Sequence, residues 1–210
     1  MKLIFLGAPG VGKGTVAKIV SQRYNIPHIS TGDMIRAEIA QQTPFGKKVE
    51  EGIKNGKFIS DDEAIELITK CSKQKDCKNG FVLDGFPRNI VQAEALQDIE
   101  KIDAVVNLYV SKKEIIKRLL GRRYCPKCKR DYNLVTSQSL RPKHDEVCDI
   151  CNIKLAKRPD DNKETILERL KIYENETKPL IDFYKNKGLL KEIDGSGELE
   201  EVADRVLNVL

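Results

Sequence analysis

The sequence predicts an α/β fold: a five-stranded parallel sheet flanked by helices, carrying two inserted subdomains. Three observations predict it. Short apolar runs alternate with amphipathic segments of helix length, as expected of strands buried on both faces. A glycine-rich loop joins the first strand to the first helix. The motifs able to carry chemistry fall at the carboxyl ends of successive strands, where parallel sheets bind ligands. At 210 residues the chain can bury a full core and still carry small insertions.

The first strand is expected at Lys2–Leu6, where Leu3-Ile4-Phe5-Leu6 is continuously apolar. Gly7-Ala8-Pro9-Gly10-Val11-Gly12-Lys13-Gly14-Thr15 follows and leads into a helix over Thr15–Tyr24. Glycines without a Cβ let the backbone turn its N–H groups toward one anionic centre. The helix N-terminus adds free donors and a positive dipole end, and Lys13 adds a point charge. Gly10, Gly12, Lys13, Gly14 and Thr15 are therefore candidate ligands of a polyphosphate, in a P-loop NTPase-like arrangement. Gly14 stands directly after Lys13 where the commoner pattern has Ser or Thr, and the hydroxyl comes one residue later, at Thr15. The competing reading is a glycine-rich strand–helix turn that binds nothing.

A second strand is expected at Pro27–Ser30, followed by Ser30-Thr31-Gly32-Asp33-Met34-Ile35-Arg36, which also reads as a helix N-cap. Gln42 to Ile59 reads as a helical insertion, and a helix is expected over Ser60–Ser72. The strand Phe81–Asp84 ends in Asp84-Gly85-Phe86-Pro87-Arg88. An acid at a strand end beside a phosphate loop can hold Mg²⁺ through water, and the Arg88 fork suits phosphate. Helices over Asn89–Asp98 and Lys112–Gly121 bracket a strand at Val105–Val110. One long helix over Asp161–Lys187 precedes a last strand at Leu190–Asp194.

Arg122 to Pro159 interrupts this alternation and reads as a separate β-rich flap. It holds Cys125-x-x-Cys128 and Cys148-x-x-Cys151, 19 residues apart, the spacing of a four-cysteine zinc site. Four thiolates leave no open position on the metal, so its role would be structural. A zinc ribbon that binds nucleic acid is the rival reading, weakened by the few aromatics near the knuckles. Cys71 and Cys77 lack metal spacing and read as ordinary thiols.

Taken in order, the glycine loop, the Ser30–Arg36 and Asp84–Arg88 motifs, Arg122-Arg123 and Arg158-Pro159-Asp160-Asp161 resemble the adenylate kinases, in the long form with a zinc-carrying lid. The resemblance covers Met1 to about Val209. It implies a core of residues 1–29, 60–121 and 160–210, a nucleoside-monophosphate-binding insertion of 30–59 and a zinc-binding lid of 122–159. The implied reaction is MgATP + AMP ⇌ 2 ADP. Phosphoryl transfer needs positioning and charge neutralisation more than covalent help, and arginine supplies both.

By the resemblance, Lys13, Asp84, Arg88, Arg122, Arg158 and Arg169 form the catalytic set. Arg36 and Arg88 would grip the AMP phosphate, with Gly85 beside them. Arg122, Arg158 and Arg169 would cover the transferring group, Arg122 from the ATP side and the other two reaching the AMP side. Arg118 would lie over the ATP base, and Asp84, with Asp33, would orient waters on Mg²⁺. Asp160 and Asp161 would order arginines at the lid hinge, and Arg123 would pair with a lid carboxylate. Thr31 and Gln92 match positions facing the AMP adenine. A glutamine amide complements its N1/N6 edge, favouring AMP over UMP, CMP or GMP. A UMP/CMP kinase is the nearest alternative. The lid departs from the family at Tyr132-Asn133, where Tyr-His is usual, and at Leu140-Arg141-Pro142-Lys143, where Asn-Pro-Pro-Lys is usual.

The formal charge of +5 suits anionic nucleotides without demanding nucleic acid. No apolar stretch is long enough to span a bilayer, and the N-terminus lacks a signal-peptide pattern. The expectation is a cytoplasmic monomer whose partners are ATP, AMP and ADP, with no nucleic acid and no membrane.

Overall fold

A computed structural model describes all residues, Met1–Leu210. The elements run β1 (Lys2–Leu6), α1 (Lys13–Tyr24), β2 (His28–Ser30), α2 (Thr31–Ala40), α3 (Pro44–Lys54), α4 (Asp61–Ser72), β3 (Phe81–Asp84), α5 (Ile90–Ile99), β4 (Ala104–Tyr109), α6 (Lys112–Gly121), β5 (Arg122–Tyr124), β6 (Asp131–Asn133), α7 (Lys163–Ile172), α8 (Pro179–Asn186), β7 (Leu190–Asp194) and α9 (Leu199–Leu207). The main sheet is five-stranded and wholly parallel, in the order β2-β3-β1-β4-β7.

Alternate residues of each strand enter opposite cores. Leu3, Phe5, Val106 and Leu108 pack under α1 and α9, against Val16, Val20, Val202 and Val206. Ile4, Leu6, Leu83 and Val105 pack on the other face against Ile68 of α4, Leu96 of α5 and Tyr184 of α8. Both faces are covered, which is why the strands read as unbroken apolar runs. The β1 end that feeds the glycine loop is thereby buried and fixed.

The helices begin where their caps lie. Ser30, Thr43, Ser60, Asn89, Ser111 and Asn162 each accept an N–H from the first turn of the helix they open. Ser60 and Glu63 complete a capping box. The insertion's helices start earlier than expected, since α2 grows directly out of β2.

Two expectations are corrected. The single helix over Asp161–Lys187 is two helices, joined by a π turn at Tyr173–Thr177. Lys178 N–H donates to Tyr173 O at 2.9 Å, Pro179 has no N–H to continue the regular ladder, and the Thr177 Oγ1 within the turn donates to Arg88 O at 2.7 Å. The C-terminal helix α9 was not expected, although Leu199, Val202, Ala203 and Val206 recur at helical spacing and the last three are buried.

The flap of residues 122–159 forms a two-stranded antiparallel sheet, β5 with β6, plus isolated bridges at Tyr124–Ala156, His144–Val147 and Val147–Lys154. Its core is four buried side chains, Cys125, Tyr132, Cys148 and Leu155.

Candidate active site

The glycine loop hangs over the carboxyl end of β1. Gly12 caps α1 in the left-handed region, φ 110°, which a side chain would strain. Gly14 has a different reason. A Cβ there would lie 2.9 Å from Asp84 Oδ2, so any side chain at this position would have to displace the Asp84 carboxylate. Lys13 Nζ donates to Gly7 O at 2.6 Å and Ala8 O at 3.1 Å. Burial drives its pKa down from 10.5 to about 8, with Asp84 opposing and Arg88, Arg169 and Arg122 adding to the fall.

Asp84 answers that positive charge from the end of β3. Burial weighs against its carboxylate, but His28 and Lys13 hold it below the ordinary carboxyl value. His28 Nε2 stands 3.7 Å from Asp84 Oδ2.

The arginines converge on the loop from four directions, each oriented by a carboxylate or carbonyl. Arg122 forms a two-point pair with Asp161, Nε to Oδ2 at 2.7 Å and Nη2 to Oδ1 at 2.5 Å. Burial opposes the Arg122 cation, yet this pair raises its pKa. Arg169 donates to Asp160 at 2.5 Å. Arg158 donates to Asp131 of β6 at 3.0 Å. Arg88 donates through Nε to Gly85 O at 2.7 Å, and its guanidinium lies 3.9 Å from the Phe58 ring centre. Burial, and then neighbouring arginines, push Arg88 and Arg158 down to about 10. A protein that crowds buried guanidinium groups like this is built to receive a multivalent anion.

Gly10, Gly12, Lys13, Gly14, Thr15, Arg36, Asp84, Gly85, Arg88, Arg118, Arg122, Arg158 and Arg169 all line one cleft. A smaller pocket adjoins it, sharing Arg36, Phe58, Gly85, Arg88 and Arg169, and is lined also by Thr31 and Gln92. Gln92 Oε1 accepts Arg88 N–H at 2.8 Å and its Nε2 donates to Asp61 at 2.7 Å, which fixes the amide's direction. Thr31 Oγ1 donates to Gly85 O at 3.0 Å. Arg118 donates to Val11 O at 2.9 Å and Gly195 O at 3.1 Å, tying the loop to the end of β7. Asp33 accepts from Arg36 at 2.6 Å. Arg123 pairs with Glu146 at 2.6 Å.

Several residues that build this site carry no sequence motif. Phe58 stacks on Arg88, Asp61 and Asn89 hold Gln92, and His28 supports Asp84. Lys18 of α1 reaches Asp131 at 3.3 Å. In the flap, Asn133 Nδ2 donates to Arg118 O at 2.9 Å, and Leu140 lines the cleft.

The cysteines form a second, separate centre. The four Sγ atoms of Cys125, Cys128, Cys148 and Cys151 lie within 4.8 Å of one another, with Cys128 and Cys148 at 3.6 Å. Zn–S bonds of about 2.3 Å require tetrahedral sulfur–sulfur edges of about 3.8 Å, so the cluster fits a zinc ion. Knuckle amides point at the sulfurs, Cys128 N to Cys125 Sγ at 3.5 Å and Cys151 N to Cys148 Sγ at 3.4 Å. The Tyr132 hydroxyl lies 3.4 Å from Cys148 Sγ. Cys71 and Cys77 are free thiols outside this group.

Known proteins are similar to this chain over nearly its full length. The family model for adenylate kinase matches residues 5–189. An adenylate kinase of Treponema denticola is 50% identical over 96% of this chain and 95% of its own length. Adenylate kinases of Acetivibrio thermocellus and Archaeoglobus fulgidus are each 45% identical over 100% of this chain and 98% of theirs. By this match over most of its length, the chain, with a glycine loop and caged arginines on a parallel sheet and a four-cysteine centre in its flap, belongs to the adenylate kinase family.

Proposed function

We propose that the family's reaction, reversible transfer of the terminal phosphoryl group of MgATP to AMP, is divided among the residues of this cleft as follows. The loop amides at Gly10, Gly12, Gly14 and Thr15 and the Lys13 ammonium hold the ATP polyphosphate. Arg118 and Arg122 flank it. Arg36 and Arg88 hold the AMP phosphate, with Gly85 leaving room beside it. Arg158 and Arg169 span the gap between the two. Asp84 orients the water shell of the Mg²⁺ that arrives with ATP. Thr31 and Gln92 read the AMP base. Residues 30–59 and 122–159 act as the two closing insertions on the core of 1–29, 60–121 and 160–210.

The observation that carries this reading is the single cleft in which a phosphate loop faces six arginines, five of them held by their own carboxylates. A cage of this kind neutralises charge on both polyphosphates while holding them in line. The four-cysteine site, filled with zinc, gives the flap rigidity and takes no part in transfer. We take the protein to act as a monomer, as is typical of the family, in the cytoplasm, where its free cysteines suit a reducing compartment. No helix is long and apolar enough to cross a membrane.

The test is ADP formation from MgATP with AMP, UMP, CMP and GMP in parallel. AMP alone should turn over, and only with Mg²⁺ present. Turnover of a second monophosphate at a comparable rate would remove the base-reading role from Thr31 and Gln92.

The Lys13 ammonium sets the alkaline limit. The charged form binds phosphate, and in the free protein it is lost as pH rises through about 8. The kcat/KM for MgATP should therefore fall about tenfold per pH unit above that value. Bound phosphate holds the proton on, so kcat should bend at higher pH. A flat kcat/KM up to pH 10 would contradict the assignment.

A further inference from the structure

Lys18 lies on the second turn of α1, outside every motif of the phosphate loop. Its ammonium is 3.3 Å from Asp131 Oδ2 and 4.0 Å from Asp33 Oδ2. These two carboxylates belong to different insertions: Asp131 is on β6 of the flap, and Asp33 is in the first turn of α2. Each also holds an arginine of the cleft. Asp131 Oδ1 accepts from Arg158 at 3.0 Å, and Asp33 Oδ1 accepts from Arg36 at 2.6 Å. The result is an unbroken line of alternating charge, Arg36–Asp33–Lys18–Asp131–Arg158, whose middle member stands on the rigid core.

We propose that Lys18 is a positioning residue that couples the two insertions, so that docking of one sets the arginine of the other. The inference rests on the reading of Arg36 and Arg158 as nucleotide-holding groups. Its physical basis is charge balance. Arg36 and Arg158 are like charges that repel, and Arg36 adds to the burial that lowers the Arg158 pKa. Asp33 feels Arg36, Lys18 and Arg158 together, all of which favour its ionised form. When the flap closes, it brings Asp131 to Lys18. When residues 30–59 close, they bring Asp33 to the same ammonium. Whichever insertion closes first fixes the Lys18 side chain, so the second closes onto a cation already in place and loses less rotamer freedom. Coupling of this kind is reciprocal, so ATP occupancy should tighten AMP binding by the same factor as the reverse.

The flap has a second contact with the core, which supplies a control. Ser137 Oγ donates to Glu198 Oε2 at 2.5 Å, and Leu199 N–H donates back to Ser137 Oγ at 3.4 Å. This contact holds the flap to the start of α9 and touches nothing in residues 30–59.

The experiment is calorimetric titration of AMP with and without a saturating non-hydrolysable ATP analogue and Mg²⁺. It uses the wild type, Lys18→Met, Lys18→Arg and Ser137→Ala. In the wild type the analogue should tighten AMP binding. Lys18→Met should shrink that coupling factor about threefold, the scale of part-exposed ion pairs. Lys18→Arg should restore most of it, and Ser137→Ala should weaken analogue binding while leaving the factor near its wild-type value. Raising the salt from 0.05 to about 0.5 M should erode the wild-type factor toward that of Lys18→Met. A wild-type factor of one, or an unchanged factor in Lys18→Met, overturns the inference. Arg36→Ala, titrated with AMP alone, separates the two levels. If it binds AMP as the wild type does, the site reading fails and the inference falls with it. If it binds weakly while Lys18→Met keeps full coupling, only the inference fails.

Discussion

Lys13→Met should lower kcat by about 10³-fold while leaving the protein folded. The magnitude follows from the role: a preorganised cation aimed at developing charge in a water-poor cleft is worth about 10²–10³ in rate per group removed. The stability expectation has the opposite sign. A lysine held at about 8 instead of 10.5 costs the fold about 3 kcal/mol whenever the pH is below 8, because the charged form is the disfavoured one. That penalty fades as pH rises from 8 toward 10.5. Met fills similar volume without the charge, so the variant's Tm at neutral pH should match or exceed the wild type by a few degrees, the lost bonds to Gly7 O and Ala8 O offsetting part of the gain. Single-turnover kinetics and a thermal melt on the same preparation check both halves. Near-normal turnover would remove Lys13 from the chemistry, and a collapsed melt would make it a structural residue.

Stripping the metal from the four-cysteine centre should have the second large effect, confined at first to the flap. The flap's own core is small: besides the sulfurs, only Tyr132 and Leu155 are fully buried within it. Their burial contributes about 3–6 kcal/mol, against about 10–16 kcal/mol of binding energy for a structural zinc. Without the ion the flap cannot offset its chain entropy. Hydrogen exchange of the chelator-treated protein should show amides such as Tyr124, Cys148 and Ala156 losing protection, while β1, β3 and β4 keep theirs. Activity should fall at least tenfold, because Arg122 and Arg158 hang from the flap's two ends. Cys148→Ser should reproduce the pattern. Full protection after metal removal would show that the sulfurs are dispensable to the flap.

Most of the sheet was legible because burial on both faces leaves a plain signature. Lys2–Leu6 and Phe81–Asp84 coincide with apolar runs, while Leu190–Asp194 is an edge strand that buries only Ile193. The phosphate loop was legible because it is local: all its groups lie within nine residues, between a strand and a helix. What escaped is set by distance. Lys18 and Asp131 are 113 positions apart, and nothing near either one announces the other. Phe58 on Arg88, and Asp61 behind Gln92, are likewise products of the fold. The π turn at Tyr173–Thr177 lies just before Pro179, which is visible in the sequence, and carries the Thr177 bond to Arg88, which is not. The helix α9 did carry its own periodic signal. Gly14 was visible from the start, but the nearness of the Asp84 carboxylate to it belongs to the packed sheet.

The strand order has a consequence for how the molecule is made. The strand that supports the phosphate loop is the most central, yet its neighbours come from residues 81–84 and 104–109, and the sheet closes only with residues 190–194. The helix behind that loop packs on α9, residues 199–207. A nascent chain that stops short of these residues therefore lacks part of the support of its own phosphate loop. The growing polypeptide must shelter the apolar faces of β1 and α1 through nearly the whole of translation. The cysteine cluster of the flap, whose four sulfurs all lie within residues 125–151, can form before the sheet closes, while the flap's bonds to Lys18, Arg118 and Glu198 wait for the core.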